Sequence, residues 1–213
     1  MQKNMLEFVG AFINSHDAIG TKLPTRFPFR RLYGHCVRCA CWARRLAVAE
    51  GADVEVAQVS ALFHDIGKSV DHTLEGHAEA GARICDDYLA SVGLDDGKRA
   101  RIVSIVRNHI HHARGDGATL EARVVSDADL LDELGALTVL WDAMAEGAKP
   151  DCSFDSAFER IAAASAKIGD SGLDAYHTAT AREIAIGRRA FLRQFVDNLA
   201  YELGRTDSAD GAE

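Results

Sequence analysis

Apolar residues recur at intervals of three and four along nearly the whole chain, and no stretch alternates convincingly with period two. That spacing is the signature of helices burying one face, and it makes a sheet a poor solution for this sequence. The three prolines, Pro24, Pro28 and Pro150, all fall between periodic segments, and glycine-bearing stretches such as VGLDDG (92–97) and RGDGA (114–118) supply the remaining breaks. The pattern predicts helices over 2–16, 33–50, 53–65, 75–91, 96–112, 119–145, 153–168 and 174–203. Residues 18–32 read as a loop able to cover an opening. The expected architecture is all-α, one domain over 1–204 with a core at 33–145, flanking helices within 1–17 and 153–203, and a polar, disordered tail at 205–213.

Composition narrows the function classes. With 47% hydrophobic and 26% charged residues, the 213-residue chain can fill a core. A formal net charge of −8 argues against general binding to nucleic acid or to anionic membranes, which call for clustered Lys and Arg. No apolar run approaches a membrane span, and Glu7 interrupts the N-terminal apolar segment, which lacks a signal-peptide layout; a cytoplasmic location is expected. The five cysteines, Cys36, Cys39, Cys41, Cys85 and Cys152, are odd in number, and three crowd within six positions. They read as packing thiols, because Cys36 and Cys39 have no second CxxC to complete a zinc ribbon and lie inside a helical pattern.

Polar residues on the apolar stripes carry the chemistry. His35 shares a stripe with Cys39, Trp42 and Leu46, and His77 with Gly81, Ile84 and Tyr88. Likewise His109 follows Ile102, Ile105 and Val106. In 119–145, Asp129 and Asp132 share a face with Val125 and Ala136, while Asp127 points roughly the opposite way with Leu131 and Leu134. This helix is therefore expected to pack on two faces. The segment ALFHDIGKS (61–69) ends an apolar helix on His64 and Asp65, with Gly67 letting the chain leave sharply. One inward histidine is an ordinary core residue. Six imidazole and carboxylate groups converging on one core would carry desolvation and charge penalties that a divalent ion removes. The last turn of 53–65 thus presents His64 and Asp65 to a metal, and His35 and Asp129 complete the cage. A mixed His/Asp set suits manganese, iron, zinc or cobalt.

The ordered set His35, then HDIGK at 64–68, then Asp129 within DADLLDELG resembles the HD-domain superfamily of metal-dependent phosphohydrolases. His77 in EGHAEAGARI and His109 in SIVRNHIHH resemble the additional histidines of members holding two metals. YHTATAREIAIGRRAFLRQF resembles the last helix of small stand-alone bacterial members. The resemblance implies a helical bundle around the ion site, with His35, His64, Asp65 and Asp129 on one metal. Asp65 would bridge to a second metal held by His77 and His109, and His112 is a further ligand candidate. No GYP follows HIHH, which sets the chain apart from the cyclic-dinucleotide phosphodiesterase branch.

The implied activity is hydrolysis of phosphomonoester or phosphoanhydride bonds, in nucleotides, by a metal-activated hydroxide. Asp65 belongs to the catalytic set. Lys68, just past the metal-binding turn, is a candidate phosphate contact, joined more weakly by Arg31, Arg30 and Lys22 in the preceding loop. His112, with His111, is a candidate proton donor to the leaving group. Asp132 either orients a ligand histidine or holds substrate, and Glu133 reads equally as a surface acid. Two other classes stand beside this reading: a paired-iron oxygenase of the same superfamily, and a non-catalytic nucleotide-binding regulatory module. The expected partner is a small phosphorylated molecule, and self-association is left open.

Overall fold

A computed structural model describes residues 3–16, 31–114, 117–132, 134–167 and 170–205. Among these residues there is no strand, and the all-α expectation is met. The helices are α1 (Lys3–His16), α2 (Leu32–Glu50), α3 (Val54–Phe63), α4 (Leu74–Ser91), α5 (Asp96–Asn108), α6 (Leu120–Asp132), α7 (Ala136–Gly147), α8 (Phe154–Lys167), α9 (Asp170–Leu173) and α10 (Ala179–Glu202). Two 3-10 turns follow α3 and α5, at Ile66–Ser69 and His109–His111. No described helix is long and apolar enough to cross a membrane. Lys22, Arg30, Glu133 and nearly all of the 18–32 loop and the 205–213 tail lie outside the described residues.

Contacts divide the chain into two compact units. The first comprises α1–α6 with His177–Ala181; the second comprises α7–α9 and the rest of α10. In the first, α2 packs on α3 and α6, α4 packs on α5 and on the Ile66–Ser69 turn, and α3 also contacts α5 and α6. Leu46, Val56, Leu62, Phe63, Ile66, Leu89, Ile102, Val106 and Leu131 fill this core. Side chains cap the exposed donors at helix starts: Asp53 accepts from the Glu55 and Val56 amides, Thr73 from Gly76, Asp95 from Lys98, Thr119 from Ala122 and Ser153 from Ser156. In the second unit, α7 packs on α8, where Arg160 reaches the buried Asp142 at 2.8 Å.

Three expectations need correction. The predicted 119–145 helix is two helices, because Gly135 sits at φ +108°, outside the helical region. The 96–112 helix stops at Asn108 and tightens into a 3-10 turn. Gly67 is needed for a different reason from the one its position suggested. It lies within a 3-10 turn, and a Cβ there would collide with the His77 carbonyl oxygen and come within 2.6 Å of the Gly81 nitrogen. Its role is to let the turn after His64–Asp65 press against α4, which carries His77.

Candidate metal centre

Helix ends and helix faces converge on Asp65. His35 comes from α2, His64 caps the C-terminus of α3, His77 comes from the first turn of α4, His109 opens the turn after α5, and Asp129 comes from α6. One oxygen of Asp65, Oδ2, stands 3.5 Å from His35 Nε2 and 3.6 Å from His64 Nε2. Asp129 Oδ1 joins the same group at 3.2 Å from His35 Nε2 and 3.7 Å from His64 Nε2. The other oxygen, Oδ1, stands 3.6 Å from His77 Nε2 and 3.3 Å from His109 Nε2. One carboxylate thus faces two imidazole pairs, one on each oxygen.

The imidazoles are all pinned the same way round. His64 Nδ1 donates to the Ala61 carbonyl (2.7 Å), His77 Nδ1 to Thr73 (2.8 Å) and His109 Nδ1 to Val106 (2.7 Å). His35 Nδ1 donates to Asp132 Oδ2 at 2.8 Å. A carbonyl or carboxylate oxygen only accepts here, so a proton sits on Nδ1 and Nε2 is the nitrogen each ring turns inward. The result is two close Nε2-to-Nε2 encounters: His35 and His64 meet at 3.2 Å, as do His77 and His109. Asp65 Oδ1 is buried with no hydrogen-bond partner, a condition costing about 1–3 kcal/mol when nothing compensates.

These donors fit a pair of divalent ions. Nitrogen and oxygen ligands each about 2.1 Å from a shared ion stand roughly 3.0–3.4 Å apart, close to the separations here. His35, His64 and Asp129 form one group of atoms mutually within 4.8 Å, and Asp65, His77 and His109 form another. Without a cation, protons must do the work. Burial opposes a charge on His35, yet its bonds to Asp129, Asp132 and Asp65 together hold its pKa well above the ordinary value. Burial likewise opposes ionisation of Asp65, but His64, His109, His35 and Lys68 keep its carboxyl well below the usual range. His35 and His64 do the same for Asp129.

Cys39 lies in the first group by distance alone. Its sulfur is 3.6 Å from His35 Nδ1 and 3.7 Å from Nε2, which places it over the ring face instead of in line with the Nε2 lone pair. Burial pushes the thiol up to about 11, so it stays protonated at neutral pH. We read Cys39 as packing that holds the ring.

The surrounding residues divide by position. Lys68 Nζ is 2.6 Å from Asp65 Oδ2, with its side chain 34% exposed. Asp132 is buried, and both its oxygens are occupied: Arg38 grips them through Nε (2.7 Å) and Nη2 (2.8 Å) while Oδ2 also holds His35. It stands behind His35, on the Nδ1 side of the ring. Arg31 is exposed at the N-cap of α2, one turn before His35. His111 is exposed and His112 half-buried, with His112 in the left-handed region at φ +49°. Arg38 and His177 escaped the sequence reading. His177 donates through Nε2 to the His112 carbonyl (2.7 Å) and through its amide to Asp127 (2.8 Å), across separations that leave no periodic trace.

The HD domain family model matches residues 32–134, the span from just before His35 to just after Asp129. These residues form an HD domain. It is similar to ribonuclease Y of Chloroflexus aurantiacus (37% identical over 116 residues, 52% of this chain and 21% of that one) and of Petrotoga mobilis (36%, 52% and 20%). This HD chain thus matches only about a fifth of the length of those curated relatives. Whole-length likeness comes from solved structures. These include a predicted HD-superfamily hydrolase from an uncultured Thermotogales bacterium (TM-score 0.62, 22% identity, 93% and 92% covered). Another is Bacillus subtilis YpgQ in complex with ADP (0.61, 21%, 93% and 95%). At such identities the neighbours establish the fold.

Proposed function

We propose that the chain hydrolyses phosphoanhydride or phosphomonoester bonds of nucleotides at a two-ion centre. The observation that carries the proposal is Asp65, with Oδ2 turned to His35 and His64, which Asp129 also approaches, and Oδ1 turned to His77 and His109. In this reading His35, His64, Asp65 and Asp129 hold one ion, and Asp65, His77 and His109 hold the second. Manganese, iron, zinc or cobalt suits the donors. Such ions supply Lewis acidity, bringing the pKa of a water from near 16 toward about 7 and offsetting charge on phosphoryl oxygens.

The chain's own residues supply orientation. Asp132, held by Arg38, fixes His35 in the tautomer that presents Nε2. Lys68 is poised beside Asp65 and exposed enough to meet a phosphate oxygen, and Arg31 lies a turn from His35 on the open side of α2. Burial lowers the pKa of His112, so its acid form is favoured only below neutral pH. Expulsion of a phosphate needs no strong proton donor, whereas a sugar alkoxide does, and this weights the reading toward phosphoanhydrides. YpgQ, which shares the fold, binds ADP, in keeping with a nucleotide substrate.

The test is phosphate or pyrophosphate release from a nucleotide panel by protein prepared without oxygen and loaded with Mn²⁺ or Fe²⁺. Release under those conditions is expected. Activity that requires O₂ would move the chain to the oxygenase class, and tight nucleotide binding without turnover would make it a regulatory module.

A further inference from the structure

A cavity of about 370 Å³ opens between α5 and α6 beside the metal centre, within the size range of small-molecule sites. His109 forms part of its wall, although its Nε2 belongs to the centre. The two sites are therefore one side chain apart. The remaining lining combines flat groups with apolar and hydrogen-bonding ones. His111 and Arg114 offer an imidazole and a guanidinium plane, and Ile105 and Val125 offer apolar surface. Asn108 donates its amide nitrogen to the Ser104 carbonyl (2.8 Å), which orients the side chain and leaves its amide oxygen to accept. Ser126, also in the lining, has a buried hydroxyl with no hydrogen-bond partner.

We propose that this cavity receives the nucleoside part of a nucleotide whose phosphates lie at the His/Asp centre. The proposal rests on the phosphohydrolase reading above. A flat heterocycle uses imidazole and guanidinium planes by stacking, while Asn108 meets its polar edge or the sugar.

The wall nearest the centre is held in place. His112 and Ala113 both adopt left-handed backbone (φ +49° and +51°) without being glycine, a conformation that persists only when its surroundings enforce it. The enforcement comes from His177, beyond the HD-matched span. Its ring bonds the His112 carbonyl while the fully buried Asp127 accepts from the His177 and Thr178 amides and the Thr178 hydroxyl, at 2.7–2.8 Å. His177 is a positioning residue for this wall.

Equilibrium dialysis of the metal-loaded protein against the common ribo- and deoxyribonucleosides, none of which carries a phosphate to hydrolyse, tests the proposal. Binding of at least one is expected, weakened at least tenfold by Ala122→Leu, which fills the cavity. His177→Ala should weaken it several-fold with metal content retained, and His177→Gln, which keeps a side-chain donor, should recover part of the loss. Circular dichroism confirms that each variant is folded. Absence of nucleoside binding, or equal binding by a folded Ala122→Leu protein, overturns the cavity assignment. If the wild type nevertheless releases phosphate from nucleotides, the phosphohydrolase reading survives; if it acts on no nucleotide, both fall.

Discussion

On the Oδ2 side of Asp65, His35 is braced by a buried carboxylate, Asp132, itself gripped by Arg38, and a second carboxylate, Asp129, faces the same point. On the Oδ1 side, His77 and His109 are braced by backbone carbonyls, and among the described residues Asp65 supplies the one carboxylate oxygen. Outer carboxylates raise ligand basicity and lock ring orientation, whereas a carbonyl mainly locks orientation. In the two-ion reading proposed above, the two halves are unequal: the first is the more highly charged site, and the second shares Asp65 with the first as its anionic ligand.

Asp65→Ala breaks both halves at once. It should remove nearly all bound metal and all measurable phosphate release while helicity persists, as read by elemental analysis beside circular dichroism. Full metal occupancy in that variant would contradict the shared role. His109→Ala separates the halves: metal content should drop from two ions per chain toward one, and activity should fall by orders of magnitude. Loss of both ions would mean that the first ion depends on the second.

Asp132→Asn probes the brace. A loss of about 10–100-fold in affinity is expected for the first ion, in line with removal of an outer-shell carboxylate. An equal loss for the second ion would erase the asymmetry. The smallest effect concerns pH. In metal-free protein the His35 pKa is raised on folding, so its contribution to stability is complete below about 6.5, the unfolded value, and is lost as pH rises through the folded value. Thermal melts of metal-free protein should fall with rising pH above that point, and metal-loaded protein should lack this fall because the ion replaces the proton. Asp132→Asn should flatten the trend.

Much of this arrangement is legible in the order of residues. Periodicity of 3.6 places His35, His77, His109 and Asp129 on the apolar faces of their helices, and a buried face has one direction in which to point. It also forecasts that the Asp127 side of α6 is packed: Asp127 is fully buried and accepts three hydrogen bonds from residues 177–178. Periodicity fails where the backbone leaves the regular helix. The tightening at His109–His111, the break at Gly135 and the left-handed turn at His112–Ala113 are local changes that an apolar stripe does not record.

By itself the sequence determined the helical class, the inward faces and the identity of the inward polar groups, because these depend on neighbours within a turn or two. Only the tertiary structure decided which oxygen of Asp65 meets which histidine pair, that Asp132 backs His35, that Gly67 admits the His77 backbone, and that His177 bonds the His112 carbonyl. These are contacts between segments far apart along the chain. Their distances follow from how whole helices pack, a property that no single window of residues carries.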